Sequence, residues 1–295
     1  MPARTHGQIA VPTTVGKELV VFASRATFFL EKIISLKLTG KLTGAVGNLN
    51  GQQQVFPQKN WLAFSKRFIK KLGLQPLLVT TQINPRQDLV YLLDLFRQLN
   101  NVWLDLARDC WLYISCDYFS QKIVKKEVGS STMPHKINPI NFENAEGNLQ
   151  LANSLLAVLA DKLPVSRLQR DLSDSTVKRN LGVGFGHSLL AVKNLIKGLN
   201  KIEPNKKLLK KEVAAHPEML TEALQLILKS WGQEGVYQKI KLKSRGKKVV
   251  WHQLINDFPL EQRKILKSWR PEKYFGLAAQ LAKKEVKRIK KVLKI

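Results

Sequence analysis

The run Gly129-Ser130-Ser131-Thr132-Met133-Pro134-His135-Lys136-Ile137-Asn138-Pro139 gathers small, polar and turn-forming residues in a way that cannot serve a hydrophobic core. It offers exposed backbone N–H groups, two candidate hydroxyls in Ser130 and Ser131, and one ammonium group in Lys136. Amide donors beside a cation suit an anionic ligand. A turn that merely caps the following helix is the commoner origin of Gly/Ser/Pro loops, so residue chemistry alone leaves both readings open.

Two further blocks carry reactive groups. Arg4-Thr5-His6-Gly7-Gln8 sets an imidazole beside a hydroxyl and a glycine, and Val165 to Asn180 reads VSRLQRDLSDSTVKRN, with guanidinium groups at 167, 170 and 179. Taken singly, each is unremarkable, since a lone His is usually a polar surface or satisfied core group. Together, and in this order, the three blocks resemble the fumarase/aspartase superfamily. The first is similar to its signature loop GSSxMPxKxNP, the second to its catalytic-histidine motif, and the third to the nucleotide-phosphate segment of the bacterial adenylosuccinate lyases. The similarity runs from residue 3 to the C-terminus and includes Gly44-Ala45-Val46-Gly47-Asn48 and Thr81-Gln82-Ile83-Asn84-Pro85.

The resemblance implies an anti β-elimination that splits a C–N bond of adenylosuccinate, or of the succinyl-carboxamide SAICAR, releasing fumarate with AMP or AICAR. Ser130 would be the base and His6 the acid for the departing nitrogen, with Glu143 hydrogen-bonded behind the imidazole to keep it protonated. Lys136 and Asn138 would hold the succinyl carboxylate and the charge that builds on it. Thr5, Gln82, Ser131 and Met133 match substrate-binding positions. Arg170, Ser175 and Arg179 match the phosphate set, and two planar guanidinium groups with a hydroxyl suit a phosphate dianion. Ile9 and Val11 depart from the usual Pro and Thr behind the histidine. The carboxymuconate cycloisomerases share Thr-Met-Pro-His-Lys and form the alternative enzymatic reading. A catalytically dead, basic helical remnant acting as a binding module is a third.

In the superfamily each active site is assembled from three chains of a homotetramer, so a homotetramer is expected here. Family chains carry an additional N-terminal domain and first bundle helix before the Thr-His-Gly motif, whereas His6 here lies almost at Met1. The expectation is therefore a chain that is weakly stable and inactive unless a separate N-terminal piece is supplied. Neither metal nor cofactor is expected: Cys110 and Cys116 lie six apart with no partnering His or Cys nearby, which indicates neither a zinc site nor a disulfide framework. With no signal-peptide pattern and no apolar run of about 18 residues, the chain reads as cytoplasmic and not membrane-bound. The net charge of +27 fits the family least well. No helix-turn-helix, zinc-finger, RNP or KH signature accompanies it, so the basic residues read as decoration of solvated helix faces and nucleic acid is not the expected partner.

The elements that must position these residues are helical almost throughout, which places the chain in the all-α class. Apolar positions three and four apart mark helices over about 18–36, 60–72, 86–119, 141–163 and 174–199; in the third, Leu92, Leu95, Leu99, Val102, Leu106 and Cys110 line one face. Such long rods pack in bundles. Ser173 or Asp174 suits an N-cap, and Pro164 stops the preceding helix. A composition shift at Glu203-Pro204-Asn205 divides a bundle domain, 1–202, from a smaller helical domain, 203–295, with helices over about 217–231, 260–269 and 271–293.

Overall fold

A computed structural model describes residues 1–123 and 133–295. Along the chain it contains strands β1 (Pro2–Thr5) and β2 (Gln8–Pro12), helix α1 (Val15–Ser35), β3 (Thr39–Gly40), α2 (Asn50–Val55), α3 (Trp61–Lys71), β4 (Gln75–Pro76), α4 (Gln87–Ser115) and β5 (Phe119–Gln121). There follow α5 (Ile140–Lys162), α6 (Ser173–Lys178), α7 (Leu181–Lys201), β6 (Ile202–Pro204), α8 (Lys206–Ala215), α9 (Thr221–Ser230), α10 (Val236–Ser244), α11 (Trp251–Ile255), α12 (Leu260–Lys267) and α13 (Ala278–Leu293). The class is all-α, the described strands forming only short two-stranded pairs. The chain divides into two compact units: the first is Met1–Ser24, Tyr113–Val124 and Ile202–Ile295, the second Arg25–Leu112 and Lys125–Lys201.

In the second unit α4, α5 and α7 supply the core. Leu93, Leu156, Leu159 and Leu163 are fully or almost fully buried and pack with Phe96, Leu181 and Phe185; the Phe96 and Phe185 rings meet edge to face at 4.8 Å. Close approach of α5 to α7 depends on small residues: a Cβ on Gly198 would lie 2.8 Å from the Phe142 ring. One polar layer interrupts the apolar one. Buried Asn100 donates to Asn153 at 3.0 Å and to Ser188 at 2.9 Å, so its amide is satisfied where an unpaired one would be costly.

In the first unit β1 pairs antiparallel with β2, and β5 antiparallel with β6 through Phe119↔Pro204 and Gln121↔Ile202. The C-terminal helices enclose Leu224, Leu228, Val236, Ile240, Leu254, Ile255 and Leu266, with the Trp251 and Trp269 rings stacked at 6.2 Å.

Several helices differ from the sequence expectation for local reasons. The long third helix covers Gln87–Ser115, 29 residues, about 43 Å at the helical rise. Arg86 at φ 62° and Asp117 at φ 57° lie in the left-handed region, which ends the helix on either side. The expected helix over 174–199 breaks after Lys178 into α6 and α7. Neither Ser173 nor Asp174 is the N-cap: Leu172 holds that position without a side-chain cap, and Asp171 accepts the Ser173 amide at 2.8 Å instead. Over 217–231 a short 3₁₀ turn, Pro217–Leu220, precedes α9. Over 271–293 Gly276 at φ 50° separates Pro271–Lys273 from α13.

Candidate active site

The first unit holds Thr5 and His6. Thr5 ends β1, Gln8 begins β2, and Thr5 pairs with Gln8, leaving His6 and Gly7 as a two-residue hairpin loop. Both have positive φ, 53° and 75°, the requirement of the tight turn that matches strand twist. The turn presents His6 exposed at its tip. Its base is anchored through Arg4, whose guanidinium donates to the Gly7 carbonyl at 3.0 Å and to the Tyr118 hydroxyl at 2.9 and 3.1 Å. Tyr118 is fully buried and donates in turn to Glu212. Burial, and secondarily the Glu212 carboxylate, push the Tyr118 phenol up to about 12, so the hydroxyl remains a donor.

The second unit holds the other described candidates. Gln82 sits on a loop locked to the loop 43–49. Lys41 Nζ donates to the carbonyls of Gly44, Thr81 and Gln82 at 3.3, 2.9 and 2.7 Å, and burial lowers its pKa. The Thr43 and Thr80 hydroxyls meet at 2.6 Å. Gly47, at φ 93°, lies so close to the other loop that a Cβ would be 1.8 Å from the Thr80 carbonyl oxygen. Two irregular segments are thus held by backbone approach and one caged cation, leaving the Gln82 residue exposed.

The segment 166–179 folds around Asp171. Its carboxylate accepts from the Ser173 hydroxyl, from the Ser173 amide at 2.8 Å and from the Arg167 amide at 2.8 Å. Those donors hold it well below the usual carboxylate range, as expected where hydrogen bonds favour the charged form. Ser175 then lies in α6 and Arg179 caps its C-terminal end, with Arg170 and Arg179 both exposed. Asp174, buried, receives a 2.8 Å bond from Arg86 Nη2, and that bond chiefly depresses its pKa. Arg86 follows the Gln82 loop, and Asn84 fixes its left-handed backbone by accepting the Arg86 amide at 2.8 Å. One largely buried ion pair therefore ties the residue that follows the Gln82 loop to the segment 166–179.

Of the signature run, Ser130 and Ser131 lie outside the described residues. Met133, Lys136 and Ile137 are exposed, the Lys136 amide donates to the Met133 carbonyl at 3.1 Å, and Asn138 is half-buried. Glu143 stands in the first turn of α5 and accepts from the Trp111 indole at 3.0 Å. Sequence reasoning missed Lys41 and Arg86 and read Asp174 only as a candidate N-cap, whereas all three hold loops together. Lys41 and Arg86 each lie within a few residues of a matched motif, and Asp174 lies inside one. Among the described residues no group of His, Cys, Asp and Glu could hold a metal ion.

Comparison with known proteins covers nearly the whole chain. Residues 1–152 match a family model described as Lyase, and residues 166–275 one described as Adenylosuccinate lyase C-terminal. The chain is 43% identical over 288 residues to the adenylosuccinate lyase of Legionella pneumophila (strain Corby), covering 96% of this chain and 63% of that protein. It is 44% identical over 281 residues to that of Escherichia coli (strain K12), covering 94% and 62%, and 45% identical over 288 residues to that of Dictyostelium discoideum, again 94% and 62%. The chain thus spans less than two thirds of the length of these curated relatives. Among solved structures it resembles the 3-carboxy-cis,cis-muconate lactonizing enzyme of Pseudomonas putida, with a TM-score of 0.73 at 19% identity, covering 99% of this chain and 67% of that one. That likeness concerns the fold alone.

Proposed function

The chain belongs to the lyase family of the fumarase/aspartase superfamily, on its adenylosuccinate lyase branch, and from that premise we propose that it carries the catalytic and phosphate-binding parts of a carbon–nitrogen lyase. The reaction is anti β-elimination of fumarate from adenylosuccinate, leaving AMP, and from SAICAR, leaving AICAR. Ser130 removes the proton from the succinyl carbon, the electron pair expels the nitrogen across the new double bond, and His6 protonates that nitrogen as it leaves. A serine hydroxyl is a poor base unless its alkoxide is stabilised; loop N–H groups and the Lys136 ammonium are the means. Lys136 and Asn138 meet the negative charge that builds on the carboxylate.

Arg170, Ser175 and Arg179 take the phosphate, Thr5, Gln82, Ser131 and Met133 line the substrate, and Glu143 backs the imidazole. These groups act together in a homotetramer, each site drawing on more than one copy. The setting is the cytoplasm; no described helix is long and apolar enough to cross a membrane. The observation that carries the reading is the segment 166–179, which a carboxymuconate cycloisomerase does not need: its backbone is organised around Asp171 while Arg170 and Arg179 stay exposed.

The test is fumarate release from adenylosuccinate by the chain mixed with the N-terminal region of a relative, for native protein and Ser130→Ala. Native turnover with a loss of about 100- to 10,000-fold in the variant is expected for removal of a general base. Turnover that Ser130→Ala leaves unchanged removes the assignment.

A further inference from the structure

Helix α13 carries chemistry that the proposed reaction does not use. It lies beyond residue 275, where the match to the adenylosuccinate lyase C-terminal model ends. Its sixteen residues include Lys283, Lys284, Lys287, Arg288, Lys290 and Lys291 against a single carboxylate, Glu285, and none of them is buried.

The two sides of the helix differ sharply. Ala278, Ala282, Glu285, Ile289 and Leu293 are half-buried and fall on one face at helical spacing. Glu285, on that face, accepts from Arg288 at 2.6 Å and from the Ser24 hydroxyl, which together hold its carboxyl low. The opposite face presents Lys283, Lys284, Lys287, Lys290 and Lys291, all exposed and none paired with a carboxylate. From Lys283 to Lys291 the cations span about 12 Å at the helical rise.

We propose that this outward face of α13 is a docking surface for the phosphate backbone of nucleic acid. Five exposed ammonium groups on one face, none paired with a carboxylate, make a positive field that attracts anions, and duplex DNA offers a charge roughly every 1.7 Å of its axis. An anionic membrane would also attract the lysines, but a basic amphipathic helix binds bilayers by sinking its apolar face. Here the middle of that face, at Ala282, Glu285 and Ile289, is half-buried, and Leu281 and Val286 are exposed only at its edges. The contact is read as sequence-independent: lysines address phosphates, and no motif that reads base edges accompanies them. This inference stands apart from the lyase reading, since it uses none of the groups assigned to catalysis.

The experiment is fluorescence anisotropy of a short labelled duplex titrated with the full chain across a range of salt concentrations. Native protein and a variant with Lys283, Lys284, Lys287, Lys290 and Lys291 all changed to Ser are compared, with Lys287→Glu as a single-site control for folding. Native protein should bind with a log–log salt slope of roughly 0.9 per phosphate contacted. The quintuple variant should lose most of that slope, and Lys287→Glu should weaken binding without changing the melting temperature. Absence of duplex binding, or binding that the quintuple variant leaves intact, overturns the proposal. So does tighter association with phosphatidylserine vesicles than with the duplex.

Discussion

Gly47→Ala is expected to destabilise the second unit by on the order of 4–5 kcal/mol, at the upper end of what single substitutions do. Two penalties coincide. The new methyl carbon would sit 1.8 Å from the Thr80 carbonyl oxygen, a backbone atom that no rotamer change can move. The φ of 93° is also one that side-chain-bearing residues rarely adopt. Relief requires the loops 43–49 and 80–85 to part, which strains the Lys41 bonds that join the Gly44 carbonyl on one loop to the Thr81 and Gln82 carbonyls on the other. Urea denaturation measures the loss. Gly73→Ala is the control: it too has positive φ, but nothing lies within 4 Å of the added carbon, so its cost is conformational strain alone.

Arg86→Met is expected to cost about 3–5 kcal/mol, the penalty for leaving one member of a buried ion pair alone. Asp174 is 7% exposed and Arg86 15%, so water screens neither well. Asp174 Oδ1 and Arg86 Nη1 have no hydrogen-bond partner, which means the single Arg86 Nη2–Asp174 Oδ2 bond carries the pairing. Exchanging both charges for apolar groups removes the stranded charge. The double variant Arg86→Met with Asp174→Leu should therefore be more stable than Arg86→Met alone, and the double-mutant cycle should show a coupling of about 0.5–3 kcal/mol. Asp174 lies one residue before Ser175, so Arg86→Met should also weaken phosphate binding although Arg86 belongs to the other loop. Independent, additive effects of the two substitutions would show that the pair does not join the loops.

What the sequence made legible and what it hid follow different physics. Long amphipathic rods announce themselves by periodicity, which is why α1, α3, α4 and α5 fall within a few residues of their expected ends. Several short helices escaped: α2, α8, α10 and α11 were not expected, and α2 has no buried residue at all, whereas α9 and α12, of ten and eight residues, fall inside the expected stretches 217–231 and 260–269. The break between α6 and α7 was hidden because apolar positions continue at helical spacing across Asn180. Candidate groups were legible as motifs, but their supports were not. Lys41 and Gly47 matter through contacts with Thr80, Thr81 and Gln82, 33 to 41 positions away in the chain, and local pattern carries no record of that. The net charge of +27 read as decoration of solvated helix faces, concentrated near the end over 283–291; the half-burial of one face of α13 adds which side its lysines present.

The central claim is that Arg170, Ser175 and Arg179 form a nucleotide-phosphate site, and calorimetric titration with AMP and with adenosine tests it most directly. Charge-assisted hydrogen bonds are worth about 1.5–3 kcal/mol each, so AMP should bind at least about tenfold more tightly than adenosine. Changing Arg170 and Arg179 together to Met should bring AMP down to the affinity of adenosine while leaving adenosine unchanged. Equal affinity of the native protein for the two ligands, or AMP binding untouched by the double substitution, would contradict the account.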